Sequence, residues 1–368
     1  MHLTLVEPFF TGSHQQWALQ YQKHSQHNVH ILSLKGKYWK WRMFGGAVTL
    51  AQKFAAAPVP TNLFLLSDMT DLCTFSSLLP PAFRQIPLAI YFHENQITYP
   101  WSPTDPDISL QRNNQYGFIN YTSALAADKV FFNSEYHKSS FLEGLIPFLK
   151  QFPDHRGLDN IKRIEDKSKV LSLGLDLKSL SLYNVQKHKN ATLLWNHRWE
   201  YDKNPEEFFQ LLFRLKEEKI EFKLIVLGES YKKSPAIFAE AKKRLADEII
   251  HFGFAPSKEK YLQLLQEADI LPVTGYQDFF GISVVEAIYA GCYPLLPNRL
   301  AYPQHIPEDK RQEHLYSSTE ELYQKLKEAI LNIDQIREVE KLSDFVARYD
   351  WSNLADIYDM TFSQIKQE

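Results

Sequence analysis

The stretch "ATLLWNHRWEYDKNPEEFFQLLFRLKEE", residues 191 to 218, contains a short apolar run, a polar loop and a helical pattern in that order. The run ATLLWN has the length and continuity of a buried strand, and the apolar residues after the loop recur at helical spacing. Asn204 can cap the helix, Pro205 suits its first position, and the two glutamates that follow meet the positive end of the helix dipole. The stretch therefore predicts one strand, loop and helix unit.

The same alternation extends in both directions from this stretch. Runs typical of strands occupy residues 2–7, 29–34, 63–68, 88–94 and 129–134 before it, and 222–229, 249–254, 268–275 and 292–298 after it. Continuous apolar strands separated by helices indicate parallel sheets covered on both faces. We therefore predict an α/β fold with two doubly wound, Rossmann-like domains whose strands point their carboxyl ends towards a common cleft.

Domain boundaries follow from the place where the pattern breaks. Residues 179–190 are polar and show no periodicity, which is typical of a linker. We predict an N-terminal domain over residues 1–178 and a C-terminal domain over 179–345 that includes this linker. The amphipathic segment 346–368 is predicted to return towards the first domain.

The composition of the 368-residue chain limits the classes of protein that it can form. Hydrophobic residues make up 44% and charged residues 23%, which is typical of a globular protein with a buried core. A net charge of -3 argues against a surface that coats nucleic acid or membrane, so a polyanion would have to bind a local patch. Cys73 and Cys292 lie far apart in apolar surroundings and predict no disulfide or thiolate metal site. With no signal-like or membrane-spanning run, we expect a cytoplasmic protein and no membrane partner.

The segment QDFFGISVVEAIYAGCYP, residues 277 to 294, predicts a helix that begins after a strand. Gly281 would open this helix, and free N–H groups at its start could bind an anion. Glu286 is the only charge between Gly281 and Cys292 and could accept hydrogen bonds from a ribose, while Asp278 could bind a second polyol. The alternative is that Glu286 neutralises an arginine and Asp278 caps the helix.

Two cations lie in the loop between residues 196 and 205. Arg198 and Lys203 would approach the cleft from the carboxyl end of the preceding strand, where they could bind a diphosphate. The alternative is that they pair with Glu200 and Asp202 in a solvated loop. The neighbouring carboxylates and helix start favour the binding interpretation.

The first domain places polar residues at the ends of two strands. After the first strand, Gly12 would allow close backbone approach to a phosphate, and Ser13 could cap the next helix. After the strand at 88–94 come His93, Glu94 and Asn95, and three adjacent polar residues there are as consistent with a functional site as with a structural role.

Two other motifs give little support to other functions. The pattern "DPD" at 105–107 resembles a metal-binding Asp-x-Asp motif, but it lies in a proline-rich loop and not at a strand end. No G-x-G-x-x-G follows the first strand and there is no Walker A loop, which weakens the dehydrogenase and NTPase interpretations. No metal is predicted.

The stretch LKGKYWKWRM, residues 34 to 43, combines cations and aromatic residues without one acidic residue. These are Lys35, Lys37, Tyr38, Trp39, Lys40, Trp41 and Arg42. Such a combination can neutralise phosphates and stack on unpaired bases. The alternative is that the tryptophans belong to the core and that the lysines form a solvated turn.

Taken together, these motifs resemble a known family. Two doubly wound domains, with two cations after the first strand of the second domain and an acid eight residues before Glu286, resemble the GT-B glycosyltransferases of the retaining group 1. The segments GSH, YFHENQ, QYG, FPDHR, HRWEYDKNPE, VLGE, FFG and GCYPL resemble the tRNA-queuosine α-mannosyltransferase family. They extend from Gly12 to Leu295, so the resemblance covers nearly the whole chain.

The resemblance implies a GDP-mannose donor and the following donor-site residues. Arg198 and Lys203 would hold the diphosphate, Glu286 the ribose, and Asp278 with the backbone of Phe280, Gly281, Ile282 and Ser283 the sugar. His93 would lie beside the sugar, Gly12 and Ser13 near the phosphates, and the base near Gly228, Gly253 and Phe254. The chain departs from the group pattern at Asp278, where the group has the longer Glu.

On the acceptor side, the resemblance implies queuosine in a tRNA anticodon loop. The residues expected to contact tRNA are Lys35, Lys37, Trp39, Lys40, Trp41, Arg42, Glu94, Asn95, His155 and Arg156. Retention without an evident carboxylate nucleophile implies attack on the face that the phosphate leaves, with the phosphate oxygen taking the acceptor proton and no cofactor. Alternatives are a group 1 transferase with a lipid or glycan acceptor, a non-catalytic tRNA-binding relative, and a sugar-nucleotide epimerase.

Overall fold

The computed structural model of the protein describes residues 1–102, 105–110, 112–181, 185–228, 234–339 and 341–365. The chain divides into two compact units. One comprises Met1–Leu175 with Trp351–Glu368, and the other comprises Asp176–Asp350. Parts of three predictions lie outside the described residues: 182–184 of the linker, the loop after VLGE at 229–233, and 366–368 of the C-terminal segment.

The described residues form twelve strands. They are β1 (His2–Phe10), β2 (Asn28–Lys35), β3 (Leu63–Ser67), β4 (Leu88–Phe92), β5 (Lys129–Phe132), β6 (Ser168–Val170), β7 (Thr192–Asn196), β8 (Lys223–Leu227), β9 (Ile249–Gly253), β10 (Ile270–Pro272), β11 (Tyr293–Pro297) and β12 (Leu315–Tyr316).

Helices follow most of the strands. They are α1 (Gly12–His24), α2 (Trp39–Ala56), α3 (Leu72–Leu78), α4 (Pro106–Ser109), α5 (Asn114–Ala126), α6 (Glu135–Lys150), α7 (Asp159–Asp166), α8 (Pro205–Glu217), α9 (Ile237–Arg244), α10 (Lys258–Glu267), α11 (Ile282–Tyr289), α12 (Arg311–His314), α13 (Thr319–Leu331), α14 (Ile333–Glu338), α15 (Ser343–Val346) and α16 (Trp351–Ser363).

The first unit contains a parallel sheet with the strand order β2-β1-β3-β4-β5-β6. Strands β3 and β4 are buried at every position, which explains why their sequences are continuous apolar runs without alternation. Because the strands are parallel, the loops after β1, β3 and β4 leave the same edge of the sheet. The polar residues that follow these strands therefore gather at that edge.

The C-terminal helix α16 belongs to the first unit and packs against α1. The Tyr21 hydroxyl donates to Asp359 Oδ1 at 2.9 Å, and Trp17 Nε1 donates to the Tyr358 hydroxyl at 3.2 Å. Both residues of α1 are buried in an aromatic cluster, so α16 closes the core on this side of the unit.

The second unit contains a parallel sheet with the order β12-β11-β10-β7-β8-β9. Its helix α8 begins as predicted, with Asn204 at the N-cap and Pro205 at the first position. Asn204 has a left-handed backbone (φ 53°), and its amide contacts Glu207 and the Thr274 carbonyl, so it does not cap through its side chain.

Two other local predictions need correction. Ser13 does not cap α1, because the helix begins at Gly12 and Thr11 occupies the N-cap position. Strand β12 was not predicted, since two residues are too few to show a period. Strand β6, with three residues, was not predicted either, whereas the other strand positions and the α/β fold class are confirmed.

Within the described part of the chain, no helix is both long enough and apolar enough to span a membrane.

Candidate active site

Lys203 and Asp278 form the centre of the polar site in the second unit. Lys203 follows β7 and Asp278 follows β10, and the parallel sheet brings the two loops together. Lys203 Nζ lies 3.0 Å from Asp278 Oδ1 and 3.4 Å from Asp202 Oδ2, and it donates to the Gln277 carbonyl. Its side chain is 8% exposed. The predicted pairing of Lys203 with Asp202 is therefore present, but Asp278 is the nearer partner.

The second oxygen of Asp278 accepts a hydrogen bond from the Tyr302 hydroxyl at 2.7 Å. Burial would raise the pKa of Asp278, but Lys203, His197 and Tyr302 together lower the pKa below its ordinary value. Asp278 is therefore an ionised carboxylate with fixed partners. It does not cap the helix that follows, because the N-cap residue is Gly281.

Helix α11 begins beside this ion pair. Gly281 has a left-handed backbone (φ 88°) that turns the chain from the loop into the helix, and a side chain is rarely stable in that conformation. The first N–H groups of a helix have no intrahelical acceptor, so the start of α11 at Ile282 and Ser283 can bind an anion.

His305 forms a hydrogen bond with the backbone of the loop before α11. Its Nε2 is 2.6 Å from the Phe280 carbonyl, and its Nδ1 is 3.3 Å from the Tyr349 hydroxyl. Burial is the main reason that the pKa of His305 falls to about 4, so the ring is neutral at pH 7. A neutral ring that donates to Phe280 fixes the backbone where the resemblance places the sugar.

Glu286 binds Tyr261 and not an arginine. The Tyr261 hydroxyl donates to Glu286 Oε2 at 2.6 Å, and Asn196 Nδ2 donates to the same hydroxyl and to the Ser283 carbonyl. No salt bridge of Glu286 occurs among the residues that the structure describes. Burial raises the pKa of Glu286. The arginine-pairing alternative is wrong, and no residue in the described part of the chain is hydrogen-bonded to the second carboxylate oxygen, which leaves it available for a ligand.

Arg198 is half-exposed, and its guanidinium lies 3.3 Å from Glu200, as the alternative interpretation predicted. Exposed pairs of this kind contribute about 0–1 kcal/mol, so this pairing would cost little to exchange for a phosphate. Next to it, His197 is buried with Nδ1 3.2 Å from the Ser283 hydroxyl. Burial is the main cause that lowers the pKa of His197 to about 4.

Gly228 directly follows strand β8 and Gly253 is the last residue of β9, and their φ angles are 129° and 127°. A Cβ atom at Gly228 would lie 2.0 Å from the His197 carbonyl oxygen, whereas one at Gly253 would meet nothing within 4 Å. Gly228 therefore allows the loop with Arg198 to approach β8. Phe254 is 74% exposed, so its ring is available for contact with a base.

In the first unit, His93 lies at the end of β4 with its backbone N–H bonded to Asp68 at 2.8 Å. Its Nε2 is buried without a partner among the described residues. Its ring lies 4.3 Å from the ring of His14 and 4.7 Å from that of Trp17. Burial, and then the charge of His14, hold the pKa of His93 well below its ordinary value. His93 is therefore neutral and can exchange a hydrogen bond with a ligand.

The residue that sequence reasoning missed here is His14. Its Nδ1 lies 2.9 Å from Glu7 Oε2, and both side chains are buried. Burial would lower the pKa of His14, but the charge and hydrogen bond of Glu7, with Asp68 and Glu94, raise it to about 9. Ligand atoms of Glu7, His14 and His93 lie within 4.8 Å of one another and could hold a metal ion. His14 Nδ1 is already bound to Glu7, and a raised pKa keeps the His14 ring protonated, whereas a histidine that binds a metal must be neutral, so the ion pair is favoured over a metal site.

The other predicted residues of the first unit differ in accessibility. Gly12 has φ 53° and open space around it, and Ser13 is exposed. Glu94 is partly exposed, and its carboxylate accepts a hydrogen bond from Gln96. Asn95 is fully buried, and its Oδ1 accepts from the Ile97 and Thr98 backbone. The prediction that Asn95 contacts tRNA is therefore corrected to a positioning role in this loop.

His155 and Arg156 lie in the exposed loop between α6 and α7. His155 has φ 42°, and Arg156 Nε donates to the Phe152 carbonyl at 2.8 Å. The stretch 34–43 begins at the end of β2 and continues into α2. Lys35, Lys37 and Trp41 are exposed there, whereas Lys40 pairs with Asp105 and Asp107.

Three residues of the site in the second unit carry no motif. Tyr261, Tyr302 and His305 come from helices or turns that lie 24 or 25 residues from their partners along the chain. His197 and, in the first unit, His14 had a visible signal, since His197 lies at a strand end between Asn196 and Arg198 and His14 lies in the segment GSH.

Comparison with known proteins identifies the class of enzyme. A family model described as glycosyl transferases group 1 matches residues 184–343, and one described as tRNA-queuosine alpha-mannosyltransferase N-terminal matches residues 2–175. The fold resembles that of a sucrose-phosphate synthase from Thermosynechococcus elongatus, with a TM-score of 0.70, 14% identity, and coverage of 99% of this chain and 98% of that one. The protein is thus a GT-B glycosyltransferase of group 1, an enzyme that transfers a hexose.

The chain belongs to the tRNA-queuosine alpha-mannosyltransferase family. It is 35% identical over 337 residues to the Drosophila melanogaster protein of that name, covering 88% of this chain and 86% of that protein. It is also 24% identical to a GDP-mannose:cellobiosyl-diphosphopolyprenol alpha-mannosyltransferase of Xanthomonas campestris, covering 65% of this chain and 59% of that one. The predicted family, fold class and enzyme class are confirmed.

Proposed function

We propose that the protein transfers mannose from GDP-mannose to queuosine in a tRNA anticodon loop, with retention of configuration, in the cytoplasm. The observation that carries this proposal is the 35% identity to the Drosophila enzyme over 88% of the chain. The Xanthomonas relative, whose name includes GDP-mannose as donor, supports the same nucleotide sugar.

In this reaction the bond between the anomeric carbon and the diphosphate breaks, and its electrons leave with GDP. A queuosine hydroxyl oxygen bonds to the same carbon, and its proton passes to the departing phosphate oxygen. Negative charge therefore grows on the diphosphate, and groups that are fixed in advance stabilise it most effectively. Lys203, Arg198 and the start of α11 are proposed for this role.

Asp278 has two proposed roles. Its ion pair with Lys203 positions the ammonium group, and its remaining acceptor capacity is available to sugar hydroxyls, since each carboxylate oxygen accepts two hydrogen bonds. Glu286 is proposed to bind the ribose diol with the oxygen that Tyr261 leaves available. The neutral ring of His93 is proposed to contact the transferred sugar through Nε2, to which none of the described residues is hydrogen-bonded.

The test is to incubate the protein with GDP-mannose, GDP-glucose or UDP-glucose and with tRNA that contains or lacks queuosine. Nucleosides from digested tRNA are then analysed by mass spectrometry. Of the three nucleotide sugars, we expect only GDP-mannose to add the mass of a hexose to queuosine. The Lys203→Ala variant should not add this mass. Equal labelling of tRNA without queuosine would refute the acceptor, and preference for another nucleotide sugar would refute the donor.

A second candidate, favoured by the Xanthomonas relative, is transfer to a polyprenyl-linked sugar. A parallel reaction with a lipid extract and radiolabelled GDP-mannose separates the two candidates. Label in the organic phase and none in tRNA would establish the lipid acceptor.

A further inference from the structure

Tyr38 has a strained backbone and an exposed ring. Its dihedral angles are φ 56° and ψ 55°, a left-handed conformation that costs a non-glycine residue free energy. Its side chain is 78% exposed, and the described residues supply it with no hydrogen bond or ring contact. The side chain therefore contributes little packing to the protein without a ligand. Because packing does not offset the backbone strain, we looked for a functional reason for this conformation.

Trp41, one helical turn further on, is also exposed, and a glycine leaves room for its indole ring. It is 63% exposed. A Cβ atom at Gly45 would lie 2.6 Å from the indole carbons of Trp41, so the missing side chain lets the indole lie along α2. Gly45 lies in the interior of α2, where glycine is unfavourable compared with alanine. Helix α2 therefore has a residue of low helix propensity at position 45, and this residue accommodates a large exposed ring.

The segment beneath these two rings is fixed by other contacts. Lys40 is bound by Asp105 and Asp107, and Trp39 packs against Trp101 and Tyr116. These contacts hold the first turn of α2.

Gly36 fixes the segment at its other end. A Cβ atom there would lie 2.2 Å from the Thr11 side chain, so the segment lies against the loop that carries Gly12. Tyr38 and Trp41 are consequently presented on a rigid support, next to the strand-end edge of the first unit.

We propose that Tyr38 and Trp41 form a stacking surface for unpaired bases of the anticodon loop. This inference rests on the proposed function, and it assigns base contact to these two rings and phosphate contact to the exposed cations Lys35 and Lys37. Aromatic rings stack on splayed bases of RNA loops, and nearby cations neutralise the backbone. The exposed positive charge selects a polyanion over an apolar protein partner.

The test measures binding of a queuosine-containing anticodon stem-loop to the full-length protein at several salt concentrations. The variants are Tyr38→Gly, Trp41→Ala and the conservative Trp41→Phe, with Phe118→Ala as a control at a partly exposed aromatic of α5. Tyr38→Gly and Trp41→Ala should each weaken binding about 5- to 150-fold with the salt slope unchanged. Trp41→Phe should retain most of the affinity, and the control should retain all of it.

Tyr38→Gly provides a further readout that a structural role would not give. Because glycine relieves the left-handed strain, its thermal midpoint should rise while its RNA affinity falls. Affinity of Tyr38→Gly and Trp41→Ala within twofold of the wild type would overturn the stacking surface. If the wild type itself fails to bind the stem-loop, the proposed function fails first.

Discussion

The ammonium group of Lys203 lies 3.0 Å from the carboxylate of Asp278, although the two residues follow different strands. Residues that approach each other in this way from two strand-to-helix loops form the ligand sites of open parallel sheets. The pair joins the cation proposed for the leaving group to the carboxylate proposed for the sugar, so a change in one alters the other.

Lys203→Ala should abolish most sugar transfer and leave tRNA affinity unchanged. It also leaves two buried carboxylates without their cation, and a broken buried pair costs roughly 3–5 kcal/mol. The matched control is Lys203→Met with Asp278→Asn, which removes the cation and one of its two carboxylates and should restore part of the lost stability without activity. Recovery of transfer in this double variant would exclude leaving-group stabilisation by Lys203.

The first unit should be less stable at alkaline pH, because the ion pair between Glu7 and His14 is lost there. The pKa of His14 is raised to about 9, above its ordinary 6.5, so its contribution is fully present below 6.5 and disappears as the pH rises through 9. The shift corresponds to roughly 3 kcal/mol. Denaturant unfolding of the wild type and of His14→Gln between pH 6 and 10 measures the difference. A constant difference across this range would contradict the raised pKa.

Glu286→Gln should reduce kcat/KM for the donor by roughly 10- to 150-fold, because a charged hydrogen bond to the ribose is lost. Glutamine can still accept from Tyr261, so the fold should be unaffected. A donor with 2′-deoxyribose completes a double-change cycle that tests whether Glu286 contacts the ribose 2′-hydroxyl. The analogue should be a poorer substrate for the wild type, but equal to the normal donor for Glu286→Gln. If the two changes reduce kcat/KM additively, Glu286 does not contact the ribose 2′-hydroxyl.

Gly228→Ala and Gly253→Ala separate steric exclusion from backbone strain. The two glycines have nearly equal φ angles, but only at Gly228 would the new Cβ overlap the His197 carbonyl. Gly253→Ala should destabilise the protein by about 1–3 kcal/mol through strain, and Gly228→Ala by more. Chemical denaturation of both variants gives the comparison. Equal decreases in the free energy of unfolding would show that the backbone at His197 moves away from the new Cβ atom.

Lys37 and Lys40 should respond differently to replacement, although they lie in one basic stretch. Lys37 is exposed, so Lys37→Ala should reduce the salt slope of tRNA binding by about 0.7–0.9 if it contacts one phosphate. Lys40 is bound by Asp105 and Asp107, so Lys40→Ala should lower the thermal midpoint and leave the slope unchanged. A reduced slope for Lys40→Ala would return it to the RNA-contacting residues.

The sequence predicted the parallel sheets because buried central strands such as β4 have no polar face and so form recognisable apolar runs. It also located the loops that hold Arg198, Lys203 and Asp278, because ligand groups of this architecture follow strands. It did not separate the binding from the pairing interpretation of Lys203. The structure contains both partners, Asp202 and Asp278.

Residue types, strand positions and local turns were determined by the sequence itself, because periodicity and backbone preference act between near neighbours. Only the tertiary structure decided that Tyr261 holds Glu286, that His14 is charged beside a neutral His93, and that Lys40 is neutralised. These properties depend on burial and on distances between residues remote along the chain, because charge and hydrogen bonding act through space.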